Sequence, residues 1–363
     1  MTMTSAAIHE DMGTRIEEAL RRRFVHHSAA AEAYGSEFAA LWRAAADHSL
    51  GGKLVRPRLL LDIHHALTPG DLGSATLTPA AVEVAAHIEL LHYAFLLHDD
   101  VIDGDLTRRK RPNLIGALAA GTPAATEEDA LHWARSSAIL MGDLLLTAAV
   151  MGFARADVPA DVRSRLLDLV EETIVETVAG EHTDVALSHG IIAPDLTTIL
   201  SMSVYKTATY SFSLPLRAAA LLSGSSVSAE RTLTSVGRHI GLAYQLQDDL
   251  LCVFGDHRAH GKDAFSDLRE GKETAIIAYA RSTDAWDDIA PRFGSAELSM
   301  RDAEGLRDQL RACGAEAFVT DLVGDQLDAV HTLLADAQLT GEIGADAAHT
   351  ILSTVSRLEG RRA

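Results

Sequence analysis

The residues best placed to do chemistry are two groups of carboxylates. Asp99-Asp100-Val101-Ile102-Asp103 follows one apolar run, and Asp248-Asp249-Leu250-Leu251-Cys252 follows another, with Asp256 shortly after. Asp99 and Asp103 are four residues apart, so on a helix they share one face. Adjacent carboxylates repel, and their burial is costly unless a cation offsets it. Magnesium suits such sites, because it binds through one or two carboxylates together with substrate phosphates. Two clusters on facing walls would grip a metal-bridged diphosphate. A single Asp-Asp-x-x-Asp can equally be a solvated helix end, so the argument needs further residues.

Those residues are cations. Arg108 and Arg109 lie in Thr107-Arg108-Arg109-Lys110-Arg111-Pro112, and Lys53 and Arg56 in Gly51-Gly52-Lys53-Leu54-Val55-Arg56-Pro57. Lys206 precedes Thr207, and Lys262 and Lys272 follow the second acidic group. The planar guanidinium fork matches phosphate oxygens. Across 363 residues the formal charge is −19, which excludes the basic footprint of a general nucleic-acid binder and a polybasic membrane anchor. An acidic chain that keeps cations beside its carboxylates suits a polyanionic ligand.

The elements that must position these groups read as helices. Ala and Leu dominate, prolines are few, and strand-type alternation is scarce. Helices are expected over 14–33, 35–48, 52–67, 79–102, 126–153, 159–187, 194–205, 206–223, 228–252, 272–282, 301–312, 314–337 and 345–359. Thr68-Pro69-Gly70-Asp71 and Gly121-Thr122-Pro123 are turn signals. The expectation is an all-α, single-domain bundle over 14–363 around a central apolar cavity, behind a flexible segment 1–13. The apolar stretches 136–152 and 212–222 are broken by Asp143 and by Pro215 with Arg217, so no membrane span is expected. The start of the chain does not read as a signal peptide, and Cys252 and Cys313 lack metal-type spacing. A cytoplasmic location follows as an expectation.

The ordered set resembles the trans-isoprenyl diphosphate synthases, or polyprenyl synthetases, over roughly positions 50–275. Gly51 to Pro57 is similar to their Gly-Gly-Lys-x-x-Arg-Pro, and Glu89-Leu90-Leu91-His92 with Leu97-His98-Asp99-Asp100 to their first aspartate-rich region. Gly142-Asp143, Tyr244-Gln245-x-x-Asp248-Asp249, Gly261-Lys262-Asp263, Asp267-Leu268 and Gly271-Lys272 continue the pattern. The resemblance implies an isoprenoid-synthase-type bundle, a homodimer, and head-to-tail condensation of isopentenyl diphosphate with a dimethylallyl, geranyl or farnesyl diphosphate. It implies magnesium on Asp99, Asp103 and Asp248, with Asp100 and Asp249 assisting. Arg108, Lys206 and Lys262 would contact the allylic diphosphate. Lys53, Arg56, His92 and Arg109 would bind isopentenyl diphosphate, with Lys272 completing the cationic set. Thr207 and Gln245 would steady the carbocation. Bland alternatives stand beside these roles: a core histidine at His92, a helix–helix hydrogen bonder at Gln245, and solvated charge at Lys53 and Arg56.

The chain departs from the family pattern at Cys252, where an aspartate is common; cysteine is a poor magnesium ligand. Product length is expected to depend on Ala94, five residues before Asp99, which leaves the pocket open, with Tyr93 and Phe95 as a floor. A medium-chain product is favoured, geranylgeranyl diphosphate first, with farnesyl and farnesylgeranyl diphosphate open. The rivals are a class I terpene cyclase, which has no use for Lys53, Arg56, His92 and Arg109, and a non-catalytic partner subunit, favoured by Cys252 alone.

Overall fold

The computed structural model describes residues 5–68, 78–108, 111–123, 125–255 and 265–359. The order is α1 (Ser5–Ala31), a 3-10 turn (Glu32–Tyr34), α2 (Ser36–Ser49), α3 (Val55–Leu67), α4 (Pro79–Ile102), a two-stranded hairpin of β1 (Thr107–Arg108) and β2 (Arg111–Pro112), α5 (Leu114–Gly121), α6 (Glu127–Ala154) and α7 (Ala160–Ser188). Then come α8 (Leu196–Ser203), a π-helix (Val204–Ser213), α9 (Leu214–Ser223) and α10 (Val227–Phe254). The chain ends with α11 (Ser266–Glu270), α12 (Ala275–Arg281), α13 (Trp286–Ile289), α14 (Met300–Ala312), α15 (Ala315–Leu339) and α16 (Ala345–Glu359). The fold is all-α.

Two compact units divide the chain. One holds Met1–Val170 and Pro215–Ser225, the other Glu171–Leu214 and Ser226–Ala363. In the first, α4 packs against α6 and α3, α5 against α6, and α1 against α2 and α4. In the second, α10 packs against α15 and the π-helix. α1 begins at Ser5, and Met12 is buried with Ile16 and Leu20.

The starts of the site helices are written locally. Thr78 caps α4, accepting from Ala81 N at 3.2 Å, with Pro79 at the first helical position. Thr126 caps α6 and Ser226 caps α10 in the same way. By length and composition α4 and α6 could each cross a membrane. Within the unit α4 is a core helix, with Ile88, Leu90, Leu91, Ala94 and Leu97 fully or nearly buried. The hydrophobic effect behind that burial is about 25 cal/mol per Å² of apolar surface. The buried edge of α6 packs against α4 and α5.

The expected break between helices at 205/206 is absent. Ser203, Val204 and Leu214 all have right-handed helical backbone, and the chain passes from α8 through the π-helix into α9. A π-helix is rare and concentrates at functional positions. This one carries Lys206 and Thr207.

Candidate active site

In the first unit, His92, Phe95, Asp99 and Asp103 fall at helical spacing along one stripe of α4. Asp103 is the exposed C-cap, its N–H donating to Asp99 O at 2.8 Å. Asp99 is partly exposed, its side chain 25% accessible, whereas the Asp100 side chain is at 4%. Arg108, brought back by the β1–β2 hairpin, donates from Nη2 to Asp100 Oδ1 at 2.5 Å and lies 3.5 Å from Asp99 Oδ2. Burial pushes the Asp100 carboxyl above its ordinary value, and the Arg108 guanidinium opposes the shift. Asp100 therefore anchors Arg108, and Asp99 and Asp103 are the accessible pair. The α4 C-terminus favours cations at that pair.

Lys53 is exposed and Arg56 half-buried at the start of α3. Leu54 between them sits in the left-handed region (φ 51°) with its side chain 2% exposed. That conformation costs a branched residue roughly 1–2 kcal/mol; the burial of Leu54 holds it and fixes the turn that presents Lys53. The loop reaches α4: a Cβ on Gly52 would meet Glu89 Oε1 at 4.0 Å, one turn before His92.

Of the pocket residues, Ala94 is fully buried and shares a stripe with Leu90 and His87. Phe95 lies on the Asp99 stripe. Tyr93 lies on the Asp100 side: burial and the Asp100 charge both push its phenol up, with Arg108 opposing. The three thus occupy different faces of α4, and the structure does not gather Tyr93 with Ala94. On the His87 and Leu90 side of α4, a cavity of about 190 Å³ is lined by Trp42, Leu144 and Met151, with Arg23, His27 and Arg155 also on its wall.

In the second unit the pattern of α4 recurs. Asp248 is half-buried and Asp249 buried. Thr207 Oγ1 donates to Gln245 Oε1 at 3.0 Å, and Gln245 Nε2 donates to Asp249 Oδ1 at 2.8 Å. This chain fixes the Gln245 amide and ties α10 to the π-helix. Lys206 Nζ is 2.6 Å from Asp184 Oδ2 and 3.0 Å from Glu181 Oε2, both on α7. Glu176, further back on α7, accepts from Thr209 Oγ1 at 2.8 Å and from Arg238 Nη2 at 2.7 Å. The close approach of α7 requires Gly180, where a Cβ would stand 2.3 Å from Lys206 N.

Glu181 and Asp184 were not among the residues expected from sequence. Their signal is an isolated glycine inside a helical pattern followed by carboxylates, Gly180-Glu181-His182-Thr183-Asp184. Lys272 follows α11, with Nζ 3.2 Å from Glu270 Oε2. Lys262 and Arg109 lie outside the described residues, as does Asp256.

Cys252 is 3% exposed, its Sγ 3.5 Å from Ser266 Oγ. Burial pushes the thiol up to about 12, with the Asp267 charge adding to it. Buried and soft, Cys252 is a small packed side chain and a poor partner for magnesium. Among the described residues no three metal-type side chains form one group. The donors present nevertheless fit magnesium: they are hard oxygens, Asp99 and Asp103 form an accessible pair, and phosphate oxygens and water are its usual remaining ligands.

The polyprenyl synthetase family model matches residues 40–294. A geranylgeranyl diphosphate synthase from Methanosarcina mazei is 30% identical over 274 residues, 75% of this chain and 76% of that protein. A (2E,6E)-farnesyl diphosphate synthase from Mycobacterium tuberculosis is 34% identical over 229 residues, 63% of this chain and 56% of that protein. The chain spans 56–76% of the length of such curated relatives. The crystal structure of a geranylgeranyl pyrophosphate synthase from Corynebacterium glutamicum, complexed with isoprenyl diphosphate and magnesium, superposes with a TM-score of 0.86 at 27% identity, covering 97% of this chain and 99% of that one. The chain belongs to the polyprenyl synthetase family, the trans-isoprenyl diphosphate synthases.

Proposed function

We propose that the protein is a trans-prenyltransferase. It condenses isopentenyl diphosphate head to tail with an allylic diphosphate (dimethylallyl, geranyl or farnesyl) and releases pyrophosphate. The observation that carries this reading is the repeated design of the two aspartate pairs, one near the end of α4 and one inside α10. In each, the first aspartate is accessible and the second is buried on a partner, Arg108 for Asp100 and Gln245 for Asp249.

Ionisation of the allylic substrate builds negative charge on the departing diphosphate. Groups that stabilise this charge more than the ground state speed the step. Magnesium held by Asp99, Asp103 and Asp248 supplies such stabilisation when bound. Arg108 keeps one nitrogen on Asp100 and has further N–H donors for phosphate oxygens. Lys206 and Lys262 add cations to the same diphosphate. Lys53, Arg56, His92 and Arg109 hold isopentenyl diphosphate, with Lys272 supporting the anionic substrates. The Thr207 and Gln245 oxygens, fixed by their mutual hydrogen bond, steady the carbocation. The released pyrophosphate accepts the proton that isopentenyl diphosphate loses.

The product is read as medium-chain and all-trans, most closely geranylgeranyl diphosphate. Ala94 presents no bulk, and the cavity by His87 and Leu90 lies on the same face. From Asp99 to His87 the helical rise spans about 18 Å, which suits a tail of several isoprene units. A homodimer suits the outer face of α6, where Trp133, Ile139 and Leu140 are exposed. A cytoplasmic location completes the reading.

The test is Asp99→Ala with magnesium and labelled isopentenyl diphosphate. Turnover falls by about a hundred- to a thousandfold, the scale of losing a transition-state charge partner, while the circular dichroism spectrum is unchanged. A folded and active Asp99→Ala protein contradicts the assignment.

A further inference from the structure

Lys206 is held by more negative charge than its position requires. Its side chain is 20% exposed, and its two partners Asp184 and Glu181 are 13% and 19% exposed, so all three groups are largely dry. The contact with Asp184 at 2.6 Å already fixes Nζ, and the backbone beneath it is fixed by the packing on Gly180. Glu181 at 3.0 Å adds a second carboxylate to the same Nζ. A lysine serving only to attract a diphosphate needs no such counter-charge.

We propose that Glu181 is a positioning residue that weakens the grip of Lys206 on the diphosphate, so that pyrophosphate leaves after each condensation. The inference rests on the reading that Lys206 contacts the allylic diphosphate. A phosphate oxygen hydrogen-bonded to Nζ stands roughly 5 Å from the Glu181 carboxylate, given two contacts of about 3 Å on one nitrogen. Like charges at that distance, in a partly dry site, oppose each other by about a factor of ten in affinity. The enzyme must release one pyrophosphate per added unit, and release governs turnover in many enzymes. A carboxylate on the far side of the binding lysine lowers the stability of the product complex without displacing the lysine.

The experiment is calorimetric titration of inorganic pyrophosphate, with magnesium, into the full-length wild type, Glu181→Gln, Glu181→Ala, Glu181→Asp and Lys206→Gln. Glu181→Gln keeps an acceptor for Nζ and removes the charge, and binding tightens about tenfold. Glu181→Ala moves in the same direction, and Glu181→Asp, which keeps the charge, stays near wild type. In steady state Glu181→Gln lowers KM for the allylic substrate and does not raise kcat. Structural damage cannot produce tighter binding. Pyrophosphate affinity that is unchanged or weaker in both charge-removing variants overturns the proposal. Lys206→Gln separates the two levels: if it weakens pyrophosphate binding and Glu181→Gln does not tighten it, only the role of Glu181 falls. If Lys206→Gln has no effect, the assignment of Lys206 falls with it.

Discussion

Gly180→Ala adds one methyl group and is expected to displace Lys206 within the second unit. The new Cβ would lie 2.3 Å from Lys206 N, 2.7 Å from Lys206 Cα and 2.8 Å from Tyr205 C, where ordinary contact begins at 3.4 Å. The deficit of about 1.1 Å falls on backbone, so no rotamer change relieves it. Nor can α7 simply back away, because Glu176 ties it to Thr209 and Arg238, and Glu181 and Asp184 tie it to Lys206. Overpacking of this kind costs about 1–3 kcal/mol of stability. A displacement of about 1 Å in a reacting geometry costs on the order of a hundredfold in rate. Thr207 moves with Lys206, and the Thr207–Gln245–Asp249 chain loosens with it. The assay is steady-state elongation with varied allylic diphosphate, alongside thermal unfolding. kcat/KM should fall about a hundredfold while the protein still unfolds cooperatively. Wild-type kcat/KM with wild-type thermal stability would show that the contact between α7 and the π-helix does not position Lys206, and would refute the reasoning.

Other perturbations have equally definite outcomes. His87 is 2% exposed, donates from Nδ1 to Glu83 O at 2.5 Å and lies against Gly152; burial, its largest cause, holds its pKa down at about 4. The unfolded chain takes this proton below its ordinary value of 6.5 and the folded one does not. The stabilisation is therefore full above pH 6.5 and is lost as pH falls to 4, by about 3 kcal/mol. His87→Gln should flatten the stability profile over that window; an unchanged slope assigns the acid sensitivity elsewhere. Ala94→Phe should shorten the major product, read by chromatography of the dephosphorylated alcohols, and an unchanged product would place the chain-length stop on another face. Cys252→Ser should leave the magnesium dependence of turnover within about twofold, since a buried, soft thiol is a poor magnesium ligand. A large shift in magnesium requirement would contradict that.

Much of this architecture could be read from residue order because the chemistry is local there. Asp99 and Asp103 are one turn apart, Gln245 and Asp249 likewise, and helix geometry converts each spacing into a shared face. Capping residues Thr78, Thr126 and Ser226 mark the helix starts for the same reason. The Asp100–Arg108 pair was harder to foresee, since it needs the β1–β2 hairpin to bring Arg108 back across eight residues. The division of labour within each aspartate pair, one accessible and one buried, follows from packing around α4 and α10, not from the identical side chains. The π-helix has no composition signal: Val204 to Ser213 reads as ordinary helix, and only the structure shows it packed against α7 and α10. Glu181 and Asp184 lie on an α7 that also carries Glu171, Glu172 and Glu176, so their spacing resembles a solvated face until Lys206 is placed against them.

The most direct measurement is product analysis with magnesium, labelled isopentenyl diphosphate, and dimethylallyl, geranyl or farnesyl diphosphate in turn. The account predicts elongated all-trans diphosphates with one pyrophosphate released per unit added, the longest major product being geranylgeranyl diphosphate. Folded protein that elongates none of the three primers, or that releases a hydrocarbon or alcohol without consuming isopentenyl diphosphate, would contradict it.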